Sequence, residues 1–303
     1  MRSLQYAAGA VSFGLLTVLA RILPPSAFCA FGRFGMSLFY ILAGRKLRKV
    51  SRESLSVAFG SGMAEEEKMR IAEASAKNLM SGLVGHACSA FRPGLATRIF
   101  SLDGKESLDS ALQKGRGAVI SVAHFGPFSW MLYKFIDLGY KVNVVMRPPR
   151  NGFLYKKFRD AKRICGLNII YSVPVRQCVV ECLQALEKGE LVFMPVDQNY
   201  GGTGRVFVDF FGRKAATATG PVMFARKTGA PLFFAHALPE GSGRFRITLS
   251  PEIALEKGVS EREALIAGTA AVTKIVEDLA RAYPEQWSWM HKRWKAVPRD
   301  GEV

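Results

Sequence analysis

Apolar residues follow two patterns along this chain. From residue 117 onward they come in short continuous runs, GAVISVAH (117–124), KVNVVMR (141–147), ELVFMPVD (190–197) and APLFFAHA (230–237), rich in Val, Ile and Phe. A strand covered on both faces needs apolar side chains at every position, so such runs predict buried strands of a parallel sheet. RVFVDFF (205–211) and RFRITLS (244–250) alternate more and are expected nearer an edge. Helical periodicity at 176–188, at 217–228 and from about 260 to 283, the last stopping before Pro284, supplies the cover. The class is α/β, with a central mixed, mostly parallel sheet flanked by helices.

Upstream the texture differs. Residues 64–84, AEEEKMRIAEASAKNLMSGLV, predict an amphipathic helix with its acids at the dipole's favourable end. Before it, 18 uncharged residues separate Arg2 from Arg21, and a second apolar run, FGMSLFYILAG, follows at 34–44. The first run is at the lower limit for a spanning helix, and two helices lying in or dipping into a membrane interface fit at least as well. Packed core helices and a cleaved leader are the competing readings. The expected division is 1–52, a membrane-associated apolar and basic helical segment, and 53–303, the α/β domain.

Charge sharpens this division. The first 52 residues hold no Asp or Glu, but they hold Arg2, Arg21, Arg33, Arg45, Lys46, Arg48, Lys49 and Arg52. The whole chain carries +17, which selects anionic partners. With 49% apolar residues and 21 phenylalanines it is too greasy for a nucleic-acid binder, and no zinc-finger, KH or RNP pattern is present. Membrane lipids explain both excesses. A basic cluster at 45–52 on the cytoplasmic side would place the following domain there too. The five cysteines lack metal-like spacing and read as reduced thiols; Cys178 and Cys182 share a helix face.

Three of the four continuous runs end in a reactive or charged residue, His124, Arg147 and Asp197. In a parallel sheet, functional groups collect beyond the carboxyl ends of strands. His124 is followed by Gly126 and Pro127, which turn the chain, so a ring on a rigid strand end can point into a cleft. Histidine ordinarily titrates near pH 6.5 and can take a proton from an alcohol at neutral pH; a structural histidine bonded at the strand end is the plainer reading. Arg147 opens a basic stretch containing Arg150 that suits phosphates or an acidic protein surface, or a solvated helix face. Asp197 stands beside Gln198, Asn199 and two glycines, where it can orient a donor or cap a turn. Pro284 to Trp294 mixes tryptophans and cations, as at a headgroup layer or in a structural cap.

At VAHFGPFSW (122–130), VVMRPPRN (144–151), PVDQNYGG (195–202), VFVDFFGRKAATATGPVMFARKTGAP (206–231) and PEQWSWMHKRWK (284–295) the chain resembles the lysophospholipid acyltransferase superfamily, in its branch of lipid A biosynthesis lauroyl and myristoyl acyltransferases. The resemblance implies a glycerolipid-acyltransferase-like fold with 53–303 as the catalytic domain. It implies transfer of a fatty acyl group from an acyl carrier protein thioester to a hydroxyl of a lipid A precursor or similar anionic glycolipid, at the cytoplasmic face of a bacterial inner membrane. No metal or other cofactor is implied. His124 matches the family's catalytic histidine, Arg147 the arginine associated with acceptor phosphate, and Asp197-Gln198 a block at the active-site rim. Arg150, Gln198 and Asn199 are expected on the substrate side, and Tyr200 and Phe207 to Phe211 either line an acyl channel or belong to the core. Another membrane lipid, such as a lysophospholipid, is the alternative acceptor.

One residue departs from the family pattern. Five places after the histidine, where the family has Asp or Glu, stands Ser129. A hydroxyl can accept the ring N–H but cannot stabilise an imidazolium by charge. Three outcomes are open: another carboxylate reaches His124, with Asp197 the leading candidate and Asp137 a poorer one; Ser129 or water orients the ring; or the fold binds lipid without catalysis.

Overall fold

The computed structural model describes residues 18–42, 44–149, 165–256 and 258–299, together with Gly152 and Tyr155. Two helices, α1 (Pro25–Leu42) and α2 (Arg45–Phe59), precede the long α3 (Glu65–Ala90). Then follow α4 (Leu95–Ile99), β1 (Phe100–Asp103), α5 (Lys105–Leu112), β2 (Ala118–Val122), α6 (Phe128–Asp137), β3 (Val142–Met146), β4 (Leu167–Tyr171), α7 (Val175–Glu187) and β5 (Leu191–Pro195). The chain continues through β6 (Arg205–Phe210), β7 (Arg213–Ala218), α8 (Gly220–Thr228), β8 (Leu232–Gly241), β9 (Arg244–Leu249) and α9 (Glu261–Ala282).

The main sheet has the order β1-β9-β8-β2-β5-β3-β4, and every neighbour is parallel except the β8–β9 hairpin. The four continuous apolar runs are β2, β3, β5 and β8, four of its five interior strands; the more alternating β9 is the fifth, next to the edge strand β1. Successive side chains enter opposite layers: Val119, Val192 and Phe234 face one core, and Ile120, Phe193 and Phe233 the other. β6 and β7 form a separate antiparallel hairpin. The helix expected from 217 therefore begins at Gly220, because Arg213–Ala218 pairs with β6 and strand pairing overrides the helix propensity of its alanines. The second residue of α8 is Pro221, where a missing amide hydrogen costs nothing.

α3 extends to Ala90, past the predicted end at 84, since its small residues let it lie close to the loop and helix after β2. A Cβ on Gly82 would stand 2.9 Å from Pro127 Cα, and one on Gly85 would stand 2.0 Å from the Trp130 ring. Trp130 Nε1 donates to Ser89 Oγ of α3 at 2.7 Å. This contact fixes the turn that carries His124.

The N-terminal pair docks through both apolar and polar contacts, Phe28, Tyr40 and Leu55 being buried, and leaves a further apolar face uncovered. α1 meets α3 through Gly32 against Val84, Arg33 Nη1 donating to Asn78 Oδ1 at 3.2 Å and Ser37 Oγ to Glu73 Oε1 at 3.3 Å. Phe31, Phe34, Leu38 and Ile41 recur at helical spacing and are exposed. Among the described residues no single helix is long and apolar enough to cross a membrane; Ser26–Leu42 with Arg45–Gly62, bent by 90°, passes the length and composition test only as a pair. α2 runs continuously through 52 and 53 and buries Val50, Ser51, Ser54 and Leu55 on both sides of that division.

Candidate active site

Strand register builds the centre. β2 and β5 are adjacent and parallel, with Val122 opposite Pro195, and Val196 N–H extends the ladder to Val122 O at 3.0 Å. Two residues past each strand end stand His124 and Asp197, so equal offsets bring them together. His124 N–H donates to Asp197 Oδ2 at 2.8 Å, and His124 Nδ1 lies 2.8 Å from Asp197 Oδ1. An ionised carboxylate only accepts, so Nδ1 carries a hydrogen, and in the neutral ring Nε2 keeps its lone pair.

The C-terminal segment closes over this pair as a short antiparallel attachment. Phe125 bridges Trp287, Gly126 N–H donates to Gln286 O at 2.7 Å, and Ser288 N–H donates to His124 O at 3.0 Å. Gly126 has φ +45, and a Cβ there would meet Gln286 Oε1 at 2.9 Å, so the turn admits glycine alone without strain. Trp287 Nε1 then donates to Asp197 Oδ2 at 2.9 Å. Burial by itself would raise the Asp197 pKa. The field of His124, the ring and backbone N–H bonds from His124 and the field of His291 overcome it and hold the carboxyl far below its usual range.

Two further basic side chains come from the same segment. His291 faces His124 with ring centroids 4.9 Å apart, and burial, aided by the nearby His124, pushes its pKa down to about 4. Arg293 is fully buried and donates to Gln198 O at 3.3 Å, Ala216 O at 2.7 Å and Thr217 Oγ1. Burial lowers its pKa to about 10 while the Asp197 charge pulls upward. Gln198 Nε2 lies 3.1 Å from His124 Nε2 and 3.4 Å from His291 Nε2.

The other expected residues divide. Ser129 sits in the first turn of α6 with a buried Oγ that has no hydrogen-bond partner, while both ring nitrogens of His124 are met by other groups. The structure thus does not join Ser129 to His124. Asp137 instead caps the start of α4, accepting from Gly94 N at 3.0 Å and Thr97 N at 3.1 Å. Asn199 Oδ1 accepts from Ala296 N at 2.8 Å, which ties the tail down. Arg147 is exposed just beyond β3, and the order β2-β5-β3 sets the ends at His124, Asp197 and Arg147 in a row. Arg150 lies outside the described residues. Phe210 and Phe211 are core, packed on Trp287, Trp289 and Trp294. Phe207 lines a cleft of about 740 Å³ with Gly201 to Val206, Thr219 and the start of α9. Among the described residues no group of His, Cys, Asp and Glu is arranged to hold a metal ion.

Trp287, His291 and Arg293 escaped sequence reasoning as members of the site. Their signal was the mixture of tryptophans and cations in the tail, which fitted a headgroup layer equally well. Trp287 and Trp289 are wholly buried, so here the mixture is a packed cap.

Comparison with known proteins identifies the family. The Escherichia coli (strain K12) lipid A biosynthesis palmitoleoyltransferase is 27% identical over 269 residues, covering 84% of this chain and 80% of the relative. The lauroyltransferase of lipid A biosynthesis from the same organism is 27% identical over 275 residues, 89% of this chain and 84% of the relative. A phosphatidylinositol mannoside acyltransferase of Mycobacterium tuberculosis (strain ATCC 25618 / H37Rv) is 25% identical over 196 residues, 64% of this chain and 60% of the relative. With the profile of that family matching residues 1–296, the chain belongs to the bacterial lipid A biosynthesis acyltransferases.

Proposed function

We propose that the chain transfers a fatty acyl group from an acyl carrier protein thioester to a hydroxyl of a lipid A precursor or similar anionic glycolipid, with His124 as general base. The observation that carries this reading is the Nδ1 contact to Asp197, which leaves Nε2 as a lone pair facing Gln198 at the exposed rim. In the reaction His124 Nε2 takes the hydroxyl proton as the oxygen attacks the thioester carbon. The tetrahedral intermediate collapses, the carbon–sulfur bond breaks, and the thiolate receives the proton from the imidazolium. Asp197 stabilises that imidazolium and fixes its tautomer, the part Ser129 cannot play. Arg147, exposed two strands from His124 and so about 10 Å across the strand ends, suits the acceptor's phosphate. Arg150 follows it in the same basic stretch.

α1 and the basic residues of α2 set the domain on an anionic bilayer. The exposed Phe31, Phe34, Leu38 and Ile41 would enter the interface while Arg45, Lys46 and Lys49 meet lipid phosphates. This geometry fits the cytoplasmic face of a bacterial inner membrane.

The test supplies purified full chain with lauroyl-acyl carrier protein and, in separate arms, a lipid A precursor or a lysophospholipid. Acylation of the precursor, abolished by His124→Ala in folded protein, is the expected result. Transfer only to the lysophospholipid would replace the acceptor, and lipid binding without turnover in either arm would overturn the enzymatic reading.

A further inference from the structure

Acyl transfer needs an N–H donor where the thioester carbonyl becomes an oxyanion. Gln198 is placed to be that donor. The His124 ring nitrogen opposite its amide is a lone pair, so the amide must present its N–H end there. An amide –NH₂ has two hydrogens, and two imidazole nitrogens, those of His124 at 3.1 Å and His291 at 3.4 Å, stand in reach of them. The residue is also fixed at its backbone, where Arg293 Nη1 donates to Gln198 O at 3.3 Å. His291 in turn is held by Ser54 Oγ of α2, which donates to His291 O at 3.1 Å. Burial keeps the His291 ring neutral at pH 7, as an acceptor of the amide hydrogen must be.

We propose that Gln198 is the oxyanion donor and that His291 is its positioning residue. The acceptor hydroxyl replaces the amide at His124 Nε2, and the freed N–H turns to the thioester carbonyl oxygen while the second hydrogen stays on His291 Nε2. As the new carbon–oxygen bond forms, the carbonyl π pair moves onto oxygen opposite Gln198 and the hydroxyl proton passes to His124. On collapse that pair returns and the thiolate leaves with the proton. The inference rests on His124 being the base.

The experiment measures kcat and KM of the full chain with lauroyl-acyl carrier protein and a lipid A precursor. Gln198→Ala and Gln198→Glu, which keeps the shape without the N–H, are each expected to lower kcat about 10²- to 10³-fold with KM little changed. His291→Ala is expected to lower kcat about tenfold, with recovery in His291→Gln, whose carbonyl can accept the same hydrogen. Adding His291→Ala to Gln198→Ala should cost nothing further, since a positioning residue acts only through its partner. Because the Gln198 side chain is exposed, circular dichroism and the melting temperature should match the parent protein. Parental kcat in Gln198→Ala, a loss confined to KM, or additive losses in the double variant would each overturn the proposal. If His124→Ala is dead while Gln198→Ala is normal, only the donor role falls; an active His124→Ala removes the base on which it rests.

Discussion

The strand-end centre and helix α1 invert the usual rule of burial in opposite directions. At the centre, Asp197 and Arg293 are buried to within 2% of complete enclosure, and each is met by several hydrogen-bonding partners. On α1, Phe31, Phe34 and Ile41 stand more than half exposed. Burying charge without partners costs several kcal/mol, so the charges persist because these partners meet them, Arg293 Nε excepted. The exposed apolar stripe has no such cover among the described residues, and the membrane surface proposed above is the medium that would supply it. The buried polar group is stabilised from within and the exposed apolar one by its environment, so substitutions should separate them.

The largest effect is expected at Arg293. Arg293→Met leaves the carbonyls of Gln198 and Ala216 without this donor in a closed site and should lower stability by about 3 kcal/mol, read from the urea midpoint. Trp287→Phe keeps the ring but deletes the N–H to Asp197 Oδ2. A bond to a charged group is worth about 2 kcal/mol, so a drop of that size with a roughly tenfold lower turnover should follow. Replacing Phe31 and Phe34 by Ser should shift the urea midpoint by less than about 0.5 kcal/mol yet weaken sedimentation with anionic vesicles at least about tenfold. Equal losses in both measurements would make α1 an ordinary core helix.

The smallest effect is in pH. Burial holds His236 at about 4, below the unfolded value near 6.5. The unfolded state therefore binds the proton first as pH falls, so this stability is present in full above 6.5 and is lost between 6.5 and 4. Linkage gives about 1 kcal/mol lost at pH 6. His236→Gln should flatten the thermal midpoint over that window. Asp197 has the same sign in a lower window: its contribution is present above the ordinary carboxylate pKa and declines only below it.

Sheet and helix cover were legible because short continuous apolar runs rich in Val, Ile and Phe favour strands covered on both faces. The return strand β7 was not: Ala215 and Ala216 carry no alternation, and only their pairing with β6 defines them. At the centre, His124 and Asp197 could each be named as strand ends, but 73 residues separate them and their meeting depends on the β2–β5 register. The tail was harder still. Trp287, His291 and Arg293 reach the site through an isolated bridge at Phe125 and scattered loop hydrogen bonds, contacts with no periodicity to announce them.

The central claim is that Asp197 supplies the carboxylate that position 129 lacks. Turnover of Asp197→Asn and Ser129→Ala, measured side by side on folded full-length protein, tests it most directly. By analogy with the Asp-to-Asn change in the serine-protease triad, Asp197→Asn should lower kcat about 10³- to 10⁴-fold, whereas Ser129→Ala should leave it unchanged. Near-normal turnover in Asp197→Asn with a large loss in Ser129→Ala would contradict the account.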